Sequence, residues 1–289
     1  GGSNAQSKVK AACEAYVEKV RIESSEASAI DAKGRFERLV YNDPLGRVEL
    51  AKLAPRHLAE WKKRVLSGGG ARGSFNRNAT ALRAALNLAY QRRDVASDYS
   101  WREELKPLEN AAGRRTLYLD RAARRKLIDE APKEVQALLK ALALLPMRVG
   151  ELANLRVEHL DVENRVLSVP TNKTAAREVP RGGDAFAHFK ACAQGKLPTA
   201  WLISRQDGRQ WRKEAWRDAI KEAAHAAKLP SGTCAYTLRH SGITDLATGG
   251  LDLFTVAKIS GTSVLMIDRH YGHLQREHAR SALQKLALV

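Results

Sequence analysis

Four places in this 289-residue chain carry side chains suited to chemistry at a phosphate. Arg148 follows Pro146-Met147, where a new helix can open. Arg239 and His240 stand together inside Thr237-Leu238-Arg239-His240-Ser241. Lys173 lies in the turn Thr171-Asn172-Lys173-Thr174, the tip of an expected hairpin. His270-Tyr271-Gly272-His273 stands near the C-terminus. A phosphodiester under attack gathers negative charge on its non-bridging oxygens. Arginine suits that charge, because its planar guanidinium grips two oxygens at once and stays protonated. Two such arginines form a plausible clamp, aimed at charge that grows toward the transition state.

The composition agrees with a polyanionic partner. Lysine and arginine number 49 against 32 aspartates and glutamates, a formal net charge of +17. Nucleic acid is the simplest partner for so basic a chain. Hydrophobic residues make up 44%, enough for folded cores and against wholesale disorder. No apolar run is long enough to span a bilayer, so no membrane partner is expected. No basic-then-apolar leader opens the chain, and Gly1-Gly2-Ser3 reads as an expression scar, which leaves open a missing natural N-terminus. Cys13, Cys192 and Cys234 are widely separated and form neither a metal knuckle nor a disulfide framework, which fits a reducing cytosol.

The elements that must position these residues fall into two parts. Up to about residue 112 the chain reads as helical. Helical spacing runs from Lys8 to Ser24 and from Asp31 toward Val40, and Asn42-Asp43-Pro44-Leu45-Gly46 is a turn. Pro55 opens a helix bearing Leu58, Trp61 and Val65. Ser67 to Gly73 reads as a flexible loop, after which Ser74 or Asn78 is expected to cap a helix with Leu82, Ala85, Leu86 and Ala89 on its apolar stripe. Arg72, Arg77, Arg83, Arg92 and Arg93 cluster there, either as a solvated face or as contacts to DNA phosphates. The segment between Pro107 and Arg125 reads as a boundary. Beyond it, Val135–Leu145 is an expected buried helix ended by Pro146. Val166–Val169 and Arg177–Val179 read as paired strands with Lys173 between them. Helices follow near 183–193, 213–227 and 237–248. The five tryptophans read as core anchors, with Trp211 or Trp216, beside Arg212, Lys213 and Arg217, as the alternative contact to DNA.

At this point a resemblance appears. Pro146-Met147-Arg148-Val149-Gly150-Glu151-Leu152 resembles the first arginine box of the tyrosine recombinases, the phage-integrase family. Thr237-Leu238-Arg239-His240-Ser241-Gly242 resembles the second. Ser260-Gly261-Thr262-Ser263 followed by His270-Tyr271-Gly272-His273 resembles the terminal box. Asn172-Lys173-Thr174, followed by Arg177-Glu178-Val179-Pro180, is similar to the hairpin that carries the family lysine. The boxes stand in the family order across roughly residues 118–280, and residues 4–110 resemble, more weakly, the helical domain that precedes them.

The resemblance implies a mainly α fold with a small antiparallel β-sheet. It assigns residues 4–112 to a helical core-binding domain and 118–289 to a catalytic domain with a C-terminal tail. It implies that Tyr271 attacks a scissile phosphate to form a 3′-phosphotyrosyl link, that Arg148 and Arg239 grip the non-bridging oxygens, and that Lys173 gives a proton to the leaving 5′-oxygen. His240 would support the phosphate or the tyrosine network. Glu151, three residues after Arg148, shares its helical face and would help hold the site together. Covalent catalysis keeps the phosphoester energy for rejoining, so no nucleotide cofactor is implied, and the arginines supply the charge a metal would otherwise bring. The implied partners are double-stranded attachment sites and a homotetramer assembled on paired sites, in the cytoplasm of a bacterium or from a phage genome. Glu277–Val289 carries Ala279, Leu283 and Leu286 on one helical face and is expected to dock, on its own domain or on a neighbouring protomer.

Two positions depart from the family pattern. Three residues before Arg239 stands Tyr236, where the family commonly has His or Lys. Nine before Tyr271 stands Thr262, where it commonly has His or Trp. A phenol with an ordinary pKa of about 10 is a poor base near neutral pH, and threonine donates a hydrogen bond without charge. Both changes leave open a rival reading, a DNA-binding regulator or architectural protein on the same fold that no longer cuts.

Overall fold

The computed structural model describes residues 7–69, 71–109, 111, 117–170, 177–180 and 182–272, without the side chains of Arg177 and Pro180. The chain forms two compact units, residues 1–113 and 114–289. The fold is mainly helical with one small antiparallel sheet.

The first unit contains α1 (Val9–Glu23), α2 (Glu26–Phe36), α3 (Pro55–Ser67), α4 (Arg72–Gln91) and the single turn α5 (Tyr99–Arg102). Ser25 caps α2 by accepting from the Ser28 N–H at 3.2 Å. A π-helical turn, Glu37–Tyr41, follows α2 directly. Its end packs so closely on the next turn that a Cβ on Gly46 would stand 2.2 Å from the Val40 carbonyl oxygen, which is why the turn carries glycine. Phe36, Leu58, Trp61, Phe75, Leu82, Leu86 and Trp101 fill the core. The buried indoles keep their polar handles satisfied: Trp61 Nε1 donates to the Leu39 carbonyl and Trp101 Nε1 to Asn87 Oδ1, both at 2.7 Å.

The expected loop before α4 is shorter than its glycines suggest. α4 opens at Arg72 with Ala71 as N-cap, so Ser74 and Asn78 lie inside the helix and do not cap it. Gly73 is tolerated there for a packing reason. A Cβ on it would come 3.0 Å from the Ala111 carbonyl oxygen. Asn76 pins that returning segment, donating to the Leu108 carbonyl at 2.9 Å and accepting from the Leu108 N–H at 2.7 Å.

The second unit runs through α6 (Arg121–Asp129), α7 (Lys133–Leu144), α8 (Val149–Ala153), β1 (Leu160–Asp161), β2 (Val166–Val169), β3 (Arg177–Pro180), α9 (Gly183–Ala193), α10 (Lys213–Ala226), α11 (Ala235–Thr248), α12 (Leu253–Ser260) and α13 (Val264–Tyr271). The strands lie in the order β1-β2-β3, with Val169 opposite Arg177 and Leu167 opposite Val179. Leu167, Val169 and Val179 send one face of the sheet into a core shared with Leu138, Leu142, Leu152, Phe189 and Leu238. The helix expected to run through Leu155 is shorter: α8 stops at Ala153, and the Leu202 N–H donates to the Leu155 carbonyl at 2.8 Å. A smaller, separate cluster of Ile243, Ala247, Val256, Ala257, Ile267 and Tyr271 joins α11, α12 and α13.

α11 is the central girder. Asp245 on it accepts from the Tyr118 hydroxyl at 2.7 Å and pairs with Arg124 of α6, which is 7% exposed. The Leu119 N–H donates to Ser241 Oγ at 2.9 Å. These bonds fix the rotation of α11, and therefore the direction in which Arg239 and His240 point.

Candidate active site

Arg148 is the N-cap of α8, directly after the buried Pro146-Met147 step. Its backbone N–H donates to Glu151 Oε2 at 3.3 Å, and its Nη1 donates to Glu151 Oε1 at 2.8 Å. One carboxylate thus caps the helix and aims the guanidinium. The same Nη1 donates to the Gly261 carbonyl. The Arg148 side chain nonetheless remains 44% exposed, with room to meet a ligand.

Arg239 stands in the second turn of α11 and is only 6% exposed. Its Nη1 donates to the Pro146 carbonyl at 2.8 Å and to the Ser260 carbonyl at 2.6 Å. α11 rests on Pro146 through Gly242, where a Cβ would approach Pro146 Cβ to 3.0 Å. Burial holds the Arg239 guanidinium below its ordinary pKa, and the charge of Arg148 adds to that depression. A buried cation with an exposed one beside it forms a site that an anion stabilises.

The two arginines share one support. Ser260 ends α12, Gly261 follows it in the left-handed conformation (φ +67°), and their consecutive carbonyls accept from Arg239 and Arg148 respectively. Carbonyls at a helix C-terminus carry partial negative charge, which offsets part of the repulsion between the two guanidiniums.

Tyr271 is the last residue of α13 and is 9% exposed. Its hydroxyl is hydrogen-bonded to His240 Nδ1 at 2.8 Å, and the two rings lie 5.3 Å apart. Burial raises the phenol pKa, while the positive charge of Arg239 acts in the opposite sense. α13 is placed by Ser263, which caps it, and by Ile267, one turn before Tyr271 in the small cluster.

Arg148, Glu151, Arg239, His240 and Tyr271 therefore converge on one site. Tyr236, Arg239 and His240 occupy positions i, i+3 and i+4 of α11 and share a face. Tyr236 is 48% exposed, and both Arg239 and Tyr271 feel its phenol electrostatically. Thr262 is half-buried just after Gly261, its N–H donating to the Ala257 carbonyl at 3.0 Å. His270 lies against the edge of Tyr271, with ring centroids 6.5 Å apart. Lys173, His273 and the tail Glu277–Val289 lie outside the described residues.

Sequence reasoning passed over the groups that hold the arginines. The carbonyls of Pro146, Ser260 and Gly261 belong to the backbone and have no residue-type signature. It also passed over Asp245, whose only signal was being the single carboxylate of α11.

The basic residues near α4 do not form one stripe. Arg72, Arg77, Arg92 and Arg93 are exposed and Arg83 is half-buried. At 100° per residue, Arg72 and Arg83 share a face while Arg77 points well away from it. Trp211 is 2% exposed and packed in the core, so it offers no free ring to a base; Trp216 is half-buried against the same core. Among the described residues no group of three or more His, Cys, Asp or Glu stands close enough to hold a metal ion, and no helix is long and apolar enough to cross a membrane.

Residues 118–278 match the phage integrase family. The tyrosine recombinase XerD of Pseudomonas putida is 28% identical over 158 residues, 52% of this chain and 52% of its own length, so the match spans about half of that relative. The tyrosine recombinase XerC of Mycobacterium sp. strain KMS is 26% identical over 253 residues, 81% of this chain and 82% of its own. The Tn1549 transposon integrase, solved in complex with a circular intermediate DNA, superposes with a TM-score of 0.80 at 19% identity, covering 96% of this chain and 99% of that one. A lambda integrase dimer bound to a COC′ core site gives 0.74 at 14% identity, covering 92% and 78%. The superpositions show a shared fold.

Proposed function

The chain belongs to the phage integrase family, and from that membership we propose that it is a site-specific DNA recombinase, cutting and rejoining strands through a 3′-phosphotyrosyl intermediate. The observation that carries this reading is the convergence of a buried tyrosine hydroxyl with two arginines held by adjacent carbonyls.

In this reading the scissile phosphate enters beside Arg148 and Arg239 and relieves their mutual repulsion. Their remaining N–H donors grip the non-bridging oxygens, where charge grows as the phosphorus becomes five-coordinate. The Tyr271 oxygen attacks phosphorus in line with the 5′-oxygen, which leaves as a hydroxyl after taking a proton from Lys173. Glu151 keeps Arg148 aimed. The first unit, residues 4–112, and the catalytic unit, 118–289, both bear an excess of basic residues and both contact duplex phosphates, so binding weakens steeply with salt. Exchange of strands between two duplexes needs four cleavages, hence a tetramer on paired sites, with the tail Glu277–Val289 docking between protomers.

Tyr236 and Thr262 support the rival, a protein that binds DNA without cutting it. One experiment separates the two. The wild-type chain is incubated with a pool of nicked suicide duplexes of randomised central sequence, and a covalent protein–DNA band is sought on a denaturing gel. The expected result is an adduct from the wild type and none from Tyr271→Phe, with duplex binding retained in both. Binding without any adduct from the wild type would establish the rival.

A further inference from the structure

The Tyr271 hydroxyl must lose its proton as it attacks, and we propose that His240 is the base that takes it. This rests on the reading of Tyr271 as the nucleophile. Among the described residues, His240 Nδ1 is the group at hydrogen-bond distance from the reacting oxygen, 2.8 Å away.

The neighbouring groups are poor alternatives. Arg148 and Arg239 carry guanidiniums, which have donors and no acceptor, and they spend those donors on Glu151 and on the carbonyls of Pro146, Ser260 and Gly261. Tyr236, on the same face of α11, offers only a phenol, a side-chain type that is a poor base near neutral pH. An imidazole has an ordinary pKa of about 6.5, so its neutral form is abundant where a phenol is still protonated. Burial of Tyr271 favours its neutral phenol, so attack needs a base in contact, and free solvent reaches this 9% exposed side chain poorly.

Helix geometry explains how one element supplies both functions. Consecutive residues on α11 are turned by about 100°. Arg239 therefore points to Pro146 and Ser260, while His240, next in the chain, points to α13. The step balances as follows. The Tyr271 O–H proton moves to His240 Nδ1 as the tyrosine oxygen bonds to phosphorus. The bond from phosphorus to the 5′-oxygen breaks, and that oxygen takes its proton from a separate donor, Lys173 in the reading above. In ligation the 5′-hydroxyl returns its proton to that separate donor as its oxygen bonds to phosphorus, the tyrosine oxygen departs, and His240 Nδ1–H gives the tyrosine oxygen back its proton.

The alternative is that the bond only packs α13 against α11. Two variants and two substrates decide. His240→Asn keeps an amide beside the hydroxyl but no base, and His240→Gly leaves space for added imidazole. The substrates are the duplex selected by the wild type and the same duplex with sulfur in place of the bridging 5′-oxygen, a leaving group that needs no proton. Circular dichroism and duplex binding verify that the variants fold. The expected result is a loss of single-turnover adduct formation of about 100-fold or more in both variants on both substrates, with imidazole restoring His240→Gly by about tenfold or more. His240→Asn within about fivefold of wild type would reduce the bond to packing. Restoration of both variants by the sulfur substrate would place His240 on the leaving group and overturn the proposal. So would a folded, DNA-binding His240→Gly that imidazole leaves inactive. Absence of an adduct from the wild type would instead defeat the prior reading of Tyr271.

Discussion

Arg239 projects from a 14-residue helix that buries seven residues and reaches the large core through Leu238, whereas Tyr271 ends an eight-residue helix that buries only Ile267 and itself. The contrast continues around them. Arg239 is held by two carbonyls, and its helix is braced by Tyr118, Arg124 and Leu119. α13 turns Val264, Leu265 and Met266 outward, with Leu265 75% exposed. The difference fits the chemistry proposed for each side. A charge stabiliser works by already pointing at the place where charge will develop, so any slack in it is lost catalysis. A nucleophile must move from its resting partner to phosphorus, so a lightly held helix suits it. Under the proposed function, the site pairs a fixed clamp with a nucleophile on a small satellite of the core.

The largest effect expected from this comparison is on the clamp. Arg239→Ala should lower single-turnover cleavage at saturating DNA by about 100- to 1000-fold, the cost of removing one preorganised donor. Duplex affinity should fall much less, because the arginine acts chiefly on the transition state. Arg239→Lys should recover little, since a point charge cannot hold two carbonyls and a phosphate as a planar fork does. Equal losses of rate and affinity in salt-matched titrations would make Arg239 an ordinary phosphate contact and dissolve the distinction from Tyr271.

The next effect is on stability, and it compares the two cores directly. Leu238→Ala empties a fully buried site in the large cluster and should cost about 2–5 kcal/mol in urea unfolding. Ile267→Ala removes a similarly buried side chain from the small cluster. It should shift the unfolding midpoint less, because α13 can detach locally without opening the main core. Hydrogen exchange should show the same order, with α13 amides losing protection before those of α11. Matching losses of global stability would show that the small cluster is cooperative with the large one.

Much of the clamp was legible from residue types. Pro146 announced the break that leaves Arg148 at a helix start, and the short, mostly apolar run Val166-Leu167-Ser168-Val169 announced β2. The two arginine boxes and the tyrosine box marked the residues that converge. Less could be read of how they are held. The bond between His240 and Tyr271 joins positions 31 residues apart, and no local period encodes it. The carbonyls beneath the arginines look the same in any residue. At the start of α4, Gly73 and Ser74 signal a loop and a cap locally, while packing against Leu108 and Ala111 rewards a helix there instead. The two-residue strand β1 exists only because β2 lies beside it. Tertiary contacts decided these elements, and local propensity is a weak guide wherever they do.

The smallest expected effect lies where clamp and nucleophile helix meet. Gly261 separates α12 from α13 at φ +67°, and the carbonyls of Ser260 and Gly261 each hold an arginine. A side chain in the left-handed region costs about 1–2 kcal/mol, and asparagine tolerates it better than most. Gly261→Ala should therefore lower stability by about 1 kcal/mol in urea unfolding, with Gly261→Asn closer to wild type. The decisive quantity is the rate. If these carbonyls aim the guanidiniums, relief of backbone strain by any local shift must also turn the arginines. Single-turnover cleavage should then fall several-fold in Gly261→Ala, by about 1 kcal/mol of transition-state stabilisation, with duplex affinity kept and Gly261→Asn again intermediate. A loss of stability with an unchanged rate would mean that Pro146, Glu151 and the core hold the arginines without help from the α12 terminus. The clamp would then be independent of the segment that leads into the tyrosine helix.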